Sequence, residues 1–452
     1  MNRVLVFLLI IVLAVVLALG ACAQPSPAPT PAAAPTPSPA PVDGEIVIGN
    51  VEPQTGMFTG FGEGNAFGVK AAVDDINALG GLDVGGQKMK VKLIQLDSES
   101  DPAKIGGLTE DLITREKINI LVEGVGPAPM WAGAATTCEK YRIPNIVSGG
   151  PMEPWAGLRT SVTPPWEYNW LSGFAIATPP DKGDFRDKPG YTIQDTWFSY
   201  LDMFAAKTNK VAGVFATDES DGRGWYMLFP GLLTQYGLRV VGIDKNLGLV
   251  PLETTDFSSI IKEWKDNNVE ILWGNCPGPV FGAMWKQATG MGFKPKIVQI
   301  GRAPLFYVDA ISWGADLAAG IGVEVWWTPE YQEAPGIGNT TPRSLFERWV
   351  KAKNQPLNPA VGQAYQGVQI ALEAIKKTGS IDPAKINAAI PTLDVSTINH
   401  RVKFNKDHFS RQPLVFCQWF KTNTPEKLQM KVVLSEHDFL KPDDNPIFPK
   451  PY

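Results

Sequence analysis

Short apolar strands alternate with helices along most of this chain, and this alternation is the strongest constraint on its fold. After the first candidate strand, Val69, Val73 and Ile76 recur at helical spacing, and Gly80-Gly81 follows as a helix stop. The alternation predicts a mostly parallel sheet with helices on both faces. The candidate strands are residues 46–48, 91–96, 118–122 and 146–147 in a first run, and 211–215, 239–241, 269–273 and 297–300 in a second.

The two runs are separated by residues 152–194, which are rich in Pro, Trp and Asp and interrupt the alternation of strands and helices. We therefore expect two doubly wound α/β lobes within the 452 residues. Ligands of open parallel sheets bind beyond the carboxyl ends of the strands. That rule selects the loops at residues 49–64, 124–131, 148–153, 216–224 and 274–279, with Gly301-Arg302 at a further strand end.

The N-terminus predicts export. Arg3 precedes an almost unbroken apolar run over residues 4–19, which ends in Leu19-Gly20-Ala21-Cys22. Small residues before a cysteine resemble the lipobox of bacterial lipoproteins, in which the cysteine is lipidated and becomes the mature N-terminus. The alternative is a single membrane-spanning anchor, because the run is long enough for a short span. The lipobox is favoured because a tether of Pro, Ala, Ser and Thr follows at once, over residues 23–44.

Composition and motifs exclude several classes of function. The net charge is −5 without a long basic run, so nucleic-acid binding has no electrostatic support. The four cysteines form no C-x-x-C pair, and the three histidines all lie near the end of the chain. One disulfide among Cys138, Cys276 and Cys417 is possible, although buried free thiols are the simpler expectation. Neither a Walker A motif nor G-x-S-x-G occurs, and no cofactor or metal site is predicted.

Several stretches resemble one family. They are Gln54-Thr55-Gly56, residues 71–81, Leu96-Asp97-Ser98, residues 142–146, residues 364–369 and Val402-Lys403-Phe404-Asn405. In order and spacing they resemble the type I periplasmic binding proteins of the branched-chain amino-acid (Leu/Ile/Val-binding) group. The resemblance implies two Rossmann-like lobes joined by three crossovers, near Pro165, Pro304 and Ile398. Lobe 1 would then comprise residues 45–165 and 305–397, and lobe 2 residues 166–304 and 398–452.

The resemblance also implies where a ligand would sit, although this chain departs from the family at almost every position. The usual serine falls at Ala128, the usual Tyr-Gly pair becomes Asp221-Gly222, and the ammonium-binding acid falls near Arg302. Phe61 retains an aromatic position, and Cys276 replaces another. The candidate ligand-binding residues are Phe61, Ala128, Pro129, Trp131, Ser148, Gly150, Asp221, Cys276, Arg302 and Trp327.

Each of these residues also has a purely structural interpretation. Phe61 could pack on glycine-rich backbone, while Trp131 and the Trp326-Trp327 pair could belong to lobe interiors. Asp221 could cap a helix, and Arg302 could pair with an acid at the rim.

The sequence thus predicts a monomeric, extracytoplasmic solute-binding lipoprotein that delivers a small solute, amino-acid-like or carboxylate-bearing, to an ABC permease. A ligand sensor of the same fold is the alternative, and a secreted enzyme is disfavoured because neither a nucleophile–base pair nor a metal cluster is evident. Arginine at the expected acid position favours an acidic group on the solute.

Overall fold

Two sheets built mainly from parallel strands form the framework of the chain. The computed structural model describes residues 44–331 and 335–452. The predicted signal, Cys22 and nearly all of the tether lie outside the described residues. Among the described residues, no helix combines the length and apolarity needed to cross a membrane.

The first sheet has seven strands in the order β15-β6-β5-β4-β1-β3-β2, and only the β2–β3 pair is antiparallel. β1 pairs with β3 and β4, which places it in the middle of the sheet. Its strands are β1 Glu45–Glu52, β2 Leu82–Val84, β3 Gln87–Asp97, β4 Ile120–Val125, β5 Asn145–Gly149, β6 Asn169–Gly173 and β15 Phe409–Arg411.

The second sheet follows the order β17-β16-β12-β11-β10-β7-β8, with β9 also paired to β7. Its strands are β7 Val211–Thr217, β8 Arg239–Val241, β9 Leu249–Val250, β10 Ile271–Cys276, β11 Ile297–Arg302, β12 Gly322–Val325, β16 Val415–Lys421 and β17 Leu428–Leu434. The last two strands are antiparallel to their neighbours. A separate antiparallel pair joins β13 Val395–Ser396 to β14 Arg401–Val402.

Helices cover both sheets, and all six residues of β4 and of β10 are buried, as expected for strands covered on both faces. The helices are Thr59–Ala78, Pro102–Thr114, Ala132–Tyr141, Met152–Thr160, Ile193–Phe204, Ser220–Gln235, Ser258–Asp266, Gly278–Gly290, Tyr307–Trp313, Ala315–Ala318, Pro342–Lys353, Ala360–Thr378 and Pro383–Ala389. The structure confirms the predicted α/β fold with two Rossmann-like lobes.

Within the described residues, three segments connect the two sheets. We call residues 174–192, which leave β6, the first crossover, and residues 326–331 and 335–341, which follow β12, the second. Residues 412–414, between β15 and β16, are the third crossover.

The observed crossovers place the lobe boundaries later in the chain than the sequence predicted. The boundary expected near Pro165 comes too early, because β6 continues the first sheet by pairing with β5. The boundary near Pro304 is also too early, since β12 pairs with β11 and β16 of the second sheet. The boundary near Ile398 precedes β15, which pairs with β6 in the first sheet.

The helix Ala360–Thr378 ties the first lobe to the crossovers through three buried glutamines one helical turn apart. Gln363 donates to the Ser148 carbonyl and to the Gln412 side chain of the third crossover. Gln366 donates to Ser172 Oγ, 2.7 Å away. Gln369 donates to the Pro335 carbonyl of the second crossover at 3.0 Å. The helix packs closely on Thr59–Ala78, where a Cβ on Gly68 would lie 2.1 Å from the Val361 carbonyl oxygen.

Candidate functional site

A small cavity lies where the carboxyl ends of strands from both sheets meet, as the binding rule for open α/β sheets requires. Its volume is about 20 Å³, room for about one water molecule. Residues of both lobes line it: Phe61, Val125, Gly126, Pro127, Gly150, Pro151, Phe174, Asp221, Trp225, Asn275, Arg302, Leu305, Glu324 and Trp326. We call it the cleft cavity.

Arg302 is held in the wall of the cleft cavity by a strained backbone. It is the last residue of β11, with φ 63° and ψ −64°. A residue with a Cβ adopts this γ-turn conformation rarely and at a cost of about 1–3 kcal/mol. Such strain persists only where the surroundings enforce it, and it directs attention to what the side chain does.

The Arg302 guanidinium is buried among polar partners of the second lobe. Its Nη2 donates to Glu219 Oε1 at 2.7 Å and to Thr217 Oγ1 at 3.1 Å. Its Nε donates to Asn275 Oδ1 at 3.1 Å and lies 3.2 Å from Asp221 Oδ2. The predicted pairing of Arg302 with an acid is therefore present, but in the interior rather than at the rim.

The pKa values of Asp221 and Glu219 shift in opposite directions beside Arg302. Burial raises the pKa of Asp221 above its ordinary value, and this effect outweighs the attraction of Arg302. Burial acts in the same direction on Glu219, but the Arg302 charge and its hydrogen bond lower the pKa of Glu219 overall. Glu219 therefore carries the counter-charge to Arg302. Glu219 also caps the helix Ser220–Gln235, the role predicted as the alternative for Asp221.

Two buried donors that line the cleft cavity have no acceptor in the part of the chain that the structure describes. They are Arg302 Nη1 and the indole Nε1 of Trp326. A buried donor without a partner costs about 1–3 kcal/mol. An oxygen-bearing group that reached either donor would remove that donor's cost.

Aromatic rings form much of the remaining wall. The Trp326 ring stacks on Phe174, with centroids 5.3 Å apart and planes at 10°. Phe61 meets Phe306 edge-on at 4.5 Å. Flat apolar surfaces of this kind bind planar or branched apolar groups.

Glu324 contributes a carboxyl group to the same cavity. It is 2% exposed, and its Oε2 accepts from Trp197 Nε1 at 3.1 Å. Burial raises the pKa of Glu324 to about 8, so the group is mainly protonated at neutral pH. A cation placed beside it would favour the ionised form.

The first-lobe wall depends on a glycine. Gly150 has φ +144°, and a Cβ there would lie 2.2 Å from Cζ2 of Trp131. Only glycine fits this position without displacing the indole. Trp131 thus acts as the support on which the Gly150-Pro151 loop rests.

Two buried glutamates lie in the strands of the first lobe. Glu52 accepts from Asn50, Asn65 and the Gly124 amide, and burial raises its pKa to about 7. Burial raises the pKa of Glu123 to about 8, partly offset by its hydrogen bond from Asn145. Within residues 44–331 and 335–452, no three His, Cys, Asp or Glu side chains group as a metal site.

The profile of the family described as periplasmic binding protein matches residues 45–424, most of the chain. This chain belongs to the periplasmic binding protein family. The family is extracytoplasmic, and its members bind solutes rather than convert them.

Solved structures of periplasmic binding proteins share this fold. A leucine binding protein from Thermotoga maritima is 16% identical with a TM-score of 0.67, covering 86% of this chain and 99% of its own. A branched-chain amino acid transporter binding protein from Streptococcus pneumoniae, in complex with isoleucine, is 19% identical with a TM-score of 0.64, covering 90% and 100%. A solute binding protein of an ABC transporter from Rhodopseudomonas palustris, in complex with 3,4-dihydroxybenzoic acid, is 18% identical with a TM-score of 0.66, covering 89% and 99%.

Four of the ten candidate ligand-binding residues line the cavity of this periplasmic binding protein: Phe61, Gly150, Asp221 and Arg302. The other six lie outside its lining, each for a structural reason. Ser148 Oγ donates to the Glu123 carbonyl, and Trp131 packs against Gly150. Trp327 Nε1 donates to the Ile398 carbonyl. Ala128 and Pro129 lie in a short 3₁₀ turn, and the Cys276 side chain is fully buried.

Three of these six residues are direct sequence neighbours of a residue that does line the cavity. Pro127, Asn275 and Trp326 line the cavity where Ala128, Cys276 and Trp327 were predicted. At Cys276 and Trp327, successive side chains on an extended segment face opposite sides, so a shift of one residue exchanges wall for core. Ala128 instead opens the 3₁₀ turn that follows Pro127. Glu324 and Trp326 could have been found by this rule, since they share one side of an extended segment. Cys138, Cys276 and Cys417 are buried free thiols.

Proposed function

We propose that this chain is the solute-binding component of an ABC importer and captures a carboxylate-bearing small molecule between its two lobes. Family membership and the lining of the cleft cavity by both lobes support this role. The lobes would open to admit solute and close around it by bending at the crossovers. Small-angle scattering should then detect a smaller radius of gyration when the bound solute is present.

The observation that carries the ligand class is the pair of unpartnered donors, Arg302 Nη1 and Trp326 Nε1. A carboxylate offers acceptors to both, and its charge strengthens the hydrogen bond from the Arg302 guanidinium. Asp221 is poorly available to an ammonium group. Its Oδ1 already accepts from Trp225 and its Oδ2 from Asn275, and Oδ2 lies 3.2 Å from Arg302 Nε.

An amino acid remains the second candidate ligand because of Glu324. Its buried carboxyl lines the same cavity and could ionise beside an ammonium group. In that arrangement Arg302 would hold the carboxylate and Glu324 the ammonium. Without an ammonium, Glu324 would stay protonated.

Calorimetry with isoleucine and 3,4-dihydroxybenzoate, alongside any solute identified by mass spectrometry of the purified protein, tests the ligand class. Arg302→Lys keeps the charge but loses the fork, and should weaken a carboxylate ligand about 10- to 100-fold. Arg223→Lys, at an exposed ion pair, is the matched control and should have no effect. Tight binding that Arg302→Lys leaves unchanged would refute the assignment.

Glu324→Gln separates the two ligand candidates. Glutamine imitates the protonated carboxyl, so binding of an aromatic acid should change little. Binding of an amino acid should weaken strongly, because glutamine cannot supply the counter-charge. In the parent protein, amino-acid binding should also release a proton, which appears as a buffer-dependent enthalpy.

The predicted lipid on Cys22 would keep the protein at the membrane surface, on the outer side of the cytoplasmic membrane or in the periplasm. The Pro/Ala-rich tether would let a monomeric folded part reach an ABC permease. A covalently attached diacyl group supplies enough apolar surface for stable anchoring.

A further inference from the structure

A second cavity, of about 230 Å³, lies among the three crossovers. Phe185 and Tyr191 of the first crossover, Tyr331 of the second and Pro413 of the third line it. It shares no lining residue with the cleft cavity. We call it the hinge pocket.

Three buried polar atoms of residues that line the hinge pocket have no partner among the described residues. They are Tyr331 Oη, Asn399 Oδ1 and His400 Nδ1. These residues are 1%, 2% and 9% exposed, so bulk water does not readily compensate for the missing partners. Asn399 Oδ1 accepts hydrogen bonds only, whereas a tyrosine hydroxyl can donate or accept.

A buried cation also lines the hinge pocket. Arg411 is 6% exposed and donates to the backbone carbonyls of Thr178, at 2.5 Å, and Pro179, at 3.2 Å. Within the described ranges, no carboxylate lies within ion-pair distance of Arg411. The neighbouring Arg186, by contrast, is paired with Asp184 at 2.7 Å.

The carboxylates of Glu153, Asp181 and Asp184 act on Arg411 without forming an ion pair with it. Arg401 at its rim is paired with Asp394, which also lies 3.8 Å from Lys403. Burial lowers the pKa of His400 to about 3, so this histidine is neutral. A buried arginine without a carboxylate in direct contact is costly, and an anion in the pocket would offset that cost.

We propose that the hinge pocket is a second small-molecule site, which takes a compact aromatic carboxylate bearing a hydroxyl group. The carboxylate pairs with Arg411, and the hydroxyl donates to Asn399 Oδ1 and accepts from Tyr331 Oη. The ring lies among Phe185, Tyr191 and Phe439, which supply the apolar part of the wall. Because all three crossovers contribute, an occupant of this site biases the angle between the lobes; this consequence alone rests on the proposed closure.

Calorimetric titration with 4-hydroxybenzoate tests the site, with 4-hydroxybenzamide as the uncharged control. The carboxylate should bind and the amide should bind at least about tenfold more weakly. Tyr331→Phe removes only a hydroxyl without a partner, so it should leave the melting temperature unchanged and weaken the probe about two- to tenfold. Arg411→Gln should weaken it about 10- to 100-fold.

A second experiment determines where 4-hydroxybenzoate binds. Arg302→Lys alters only the cleft cavity, and a crystal structure with 4-hydroxybenzoate should show density beside Arg411. Failure of the probe to bind would overturn the proposal. So would binding that is lost in Arg302→Lys but unchanged in Tyr331→Phe and Arg411→Gln, a result that places the probe in the cleft and leaves the importer role intact.

Discussion

Phe174 and Trp326 stack with their ring centroids 5.3 Å apart, although 152 positions separate them in the sequence (326 − 174). Phe174 directly follows the last strand before the first crossover, and Trp326 directly follows the strand before the second. The stack therefore joins the two crossovers at the floor of the cleft cavity. We expect this stack to link solute binding to the arrangement of the lobes.

Phe174→Leu keeps an apolar side chain but removes the stack, which is worth about 0.5–1.5 kcal/mol. We expect the affinity for the cleft solute to fall about two- to tenfold, measured by calorimetry. Phe293→Leu is the matched control, because Phe293 stacks on Trp264 at 5.2 Å within the second lobe and away from the cavity. Equal losses of affinity in both variants would contradict this role of the stack.

Gly150→Ala should destabilise the first lobe and impair the cleft. The added Cβ meets the Trp131 ring at 2.2 Å, at a φ that disfavours alanine. We expect a loss of about 1–3 kcal/mol in the free energy of unfolding, measured by denaturant titration. Gly157→Ala is the control: no atom lies within 4 Å of its added Cβ, in a helix where alanine is favoured. A Gly150→Ala protein as stable as the parent would mean that Trp131 is not tightly held.

Glu123→Gln should remove part of the pH dependence of stability. Burial raises the pKa of Glu123 from 4.5 to about 8, so the folded state retains a proton that the unfolded state loses. The resulting stabilisation is fully present below about pH 4.5 and is lost as pH rises through 8. The variant should therefore gain stability relative to the parent, on the order of a few kcal/mol, between pH 5 and 8.5.

The measurement is urea unfolding of both proteins across that pH range. Comparison with the parent cancels the contributions of ionisable groups that do not interact with Glu123. A constant difference between the two proteins at all pH values would show that Glu123 is already ionised when folded.

Cys22→Ser should prevent lipidation and release the protein from the membrane fraction, or block its maturation. The prediction depends on the Leu19-Gly20-Ala21-Cys22 ending of the apolar run. Membrane fractionation followed by immunoblotting measures it, and Cys138→Ser, at a buried thiol, is the control. A Cys22→Ser protein that remains with the membranes at the parent's size would favour the spanning anchor instead.

The local alternation of strands and helices was enough to predict both lobes, because each unit is specified by its own apolar pattern. β6 was missed because Asn169–Gly173 reads as a polar, glycine-bearing stretch within an irregular segment. Its burial comes from pairing with β5 and with β15, which lies far along the chain. No local signal carries that information.

The cavity lining falls in the loops predicted from the strand ends, but not always at the predicted residue. Arg302 and Asp221 followed from strand ends, whereas Trp326 was displaced by one position to Trp327. Which of two adjacent tryptophans faces a cavity depends on strand register, and register is set by long-range pairing. The unpartnered donors could not be seen at all, because hydrogen-bond satisfaction is a property of the assembled fold.

The three glutamines of the helix Ala360–Thr378 determine which part of the molecule can pivot. Their side chains hydrogen-bond three parts of the chain to one helix. Gln363 holds the third crossover, Gln366 holds β6, and Gln369 holds the second crossover. In the proposed closure we therefore expect the crossovers to bend beyond these hydrogen bonds, towards the second lobe. The first lobe, this helix and the hydrogen-bonded parts of the crossovers would then act as one rigid body, relative to which the second lobe rotates.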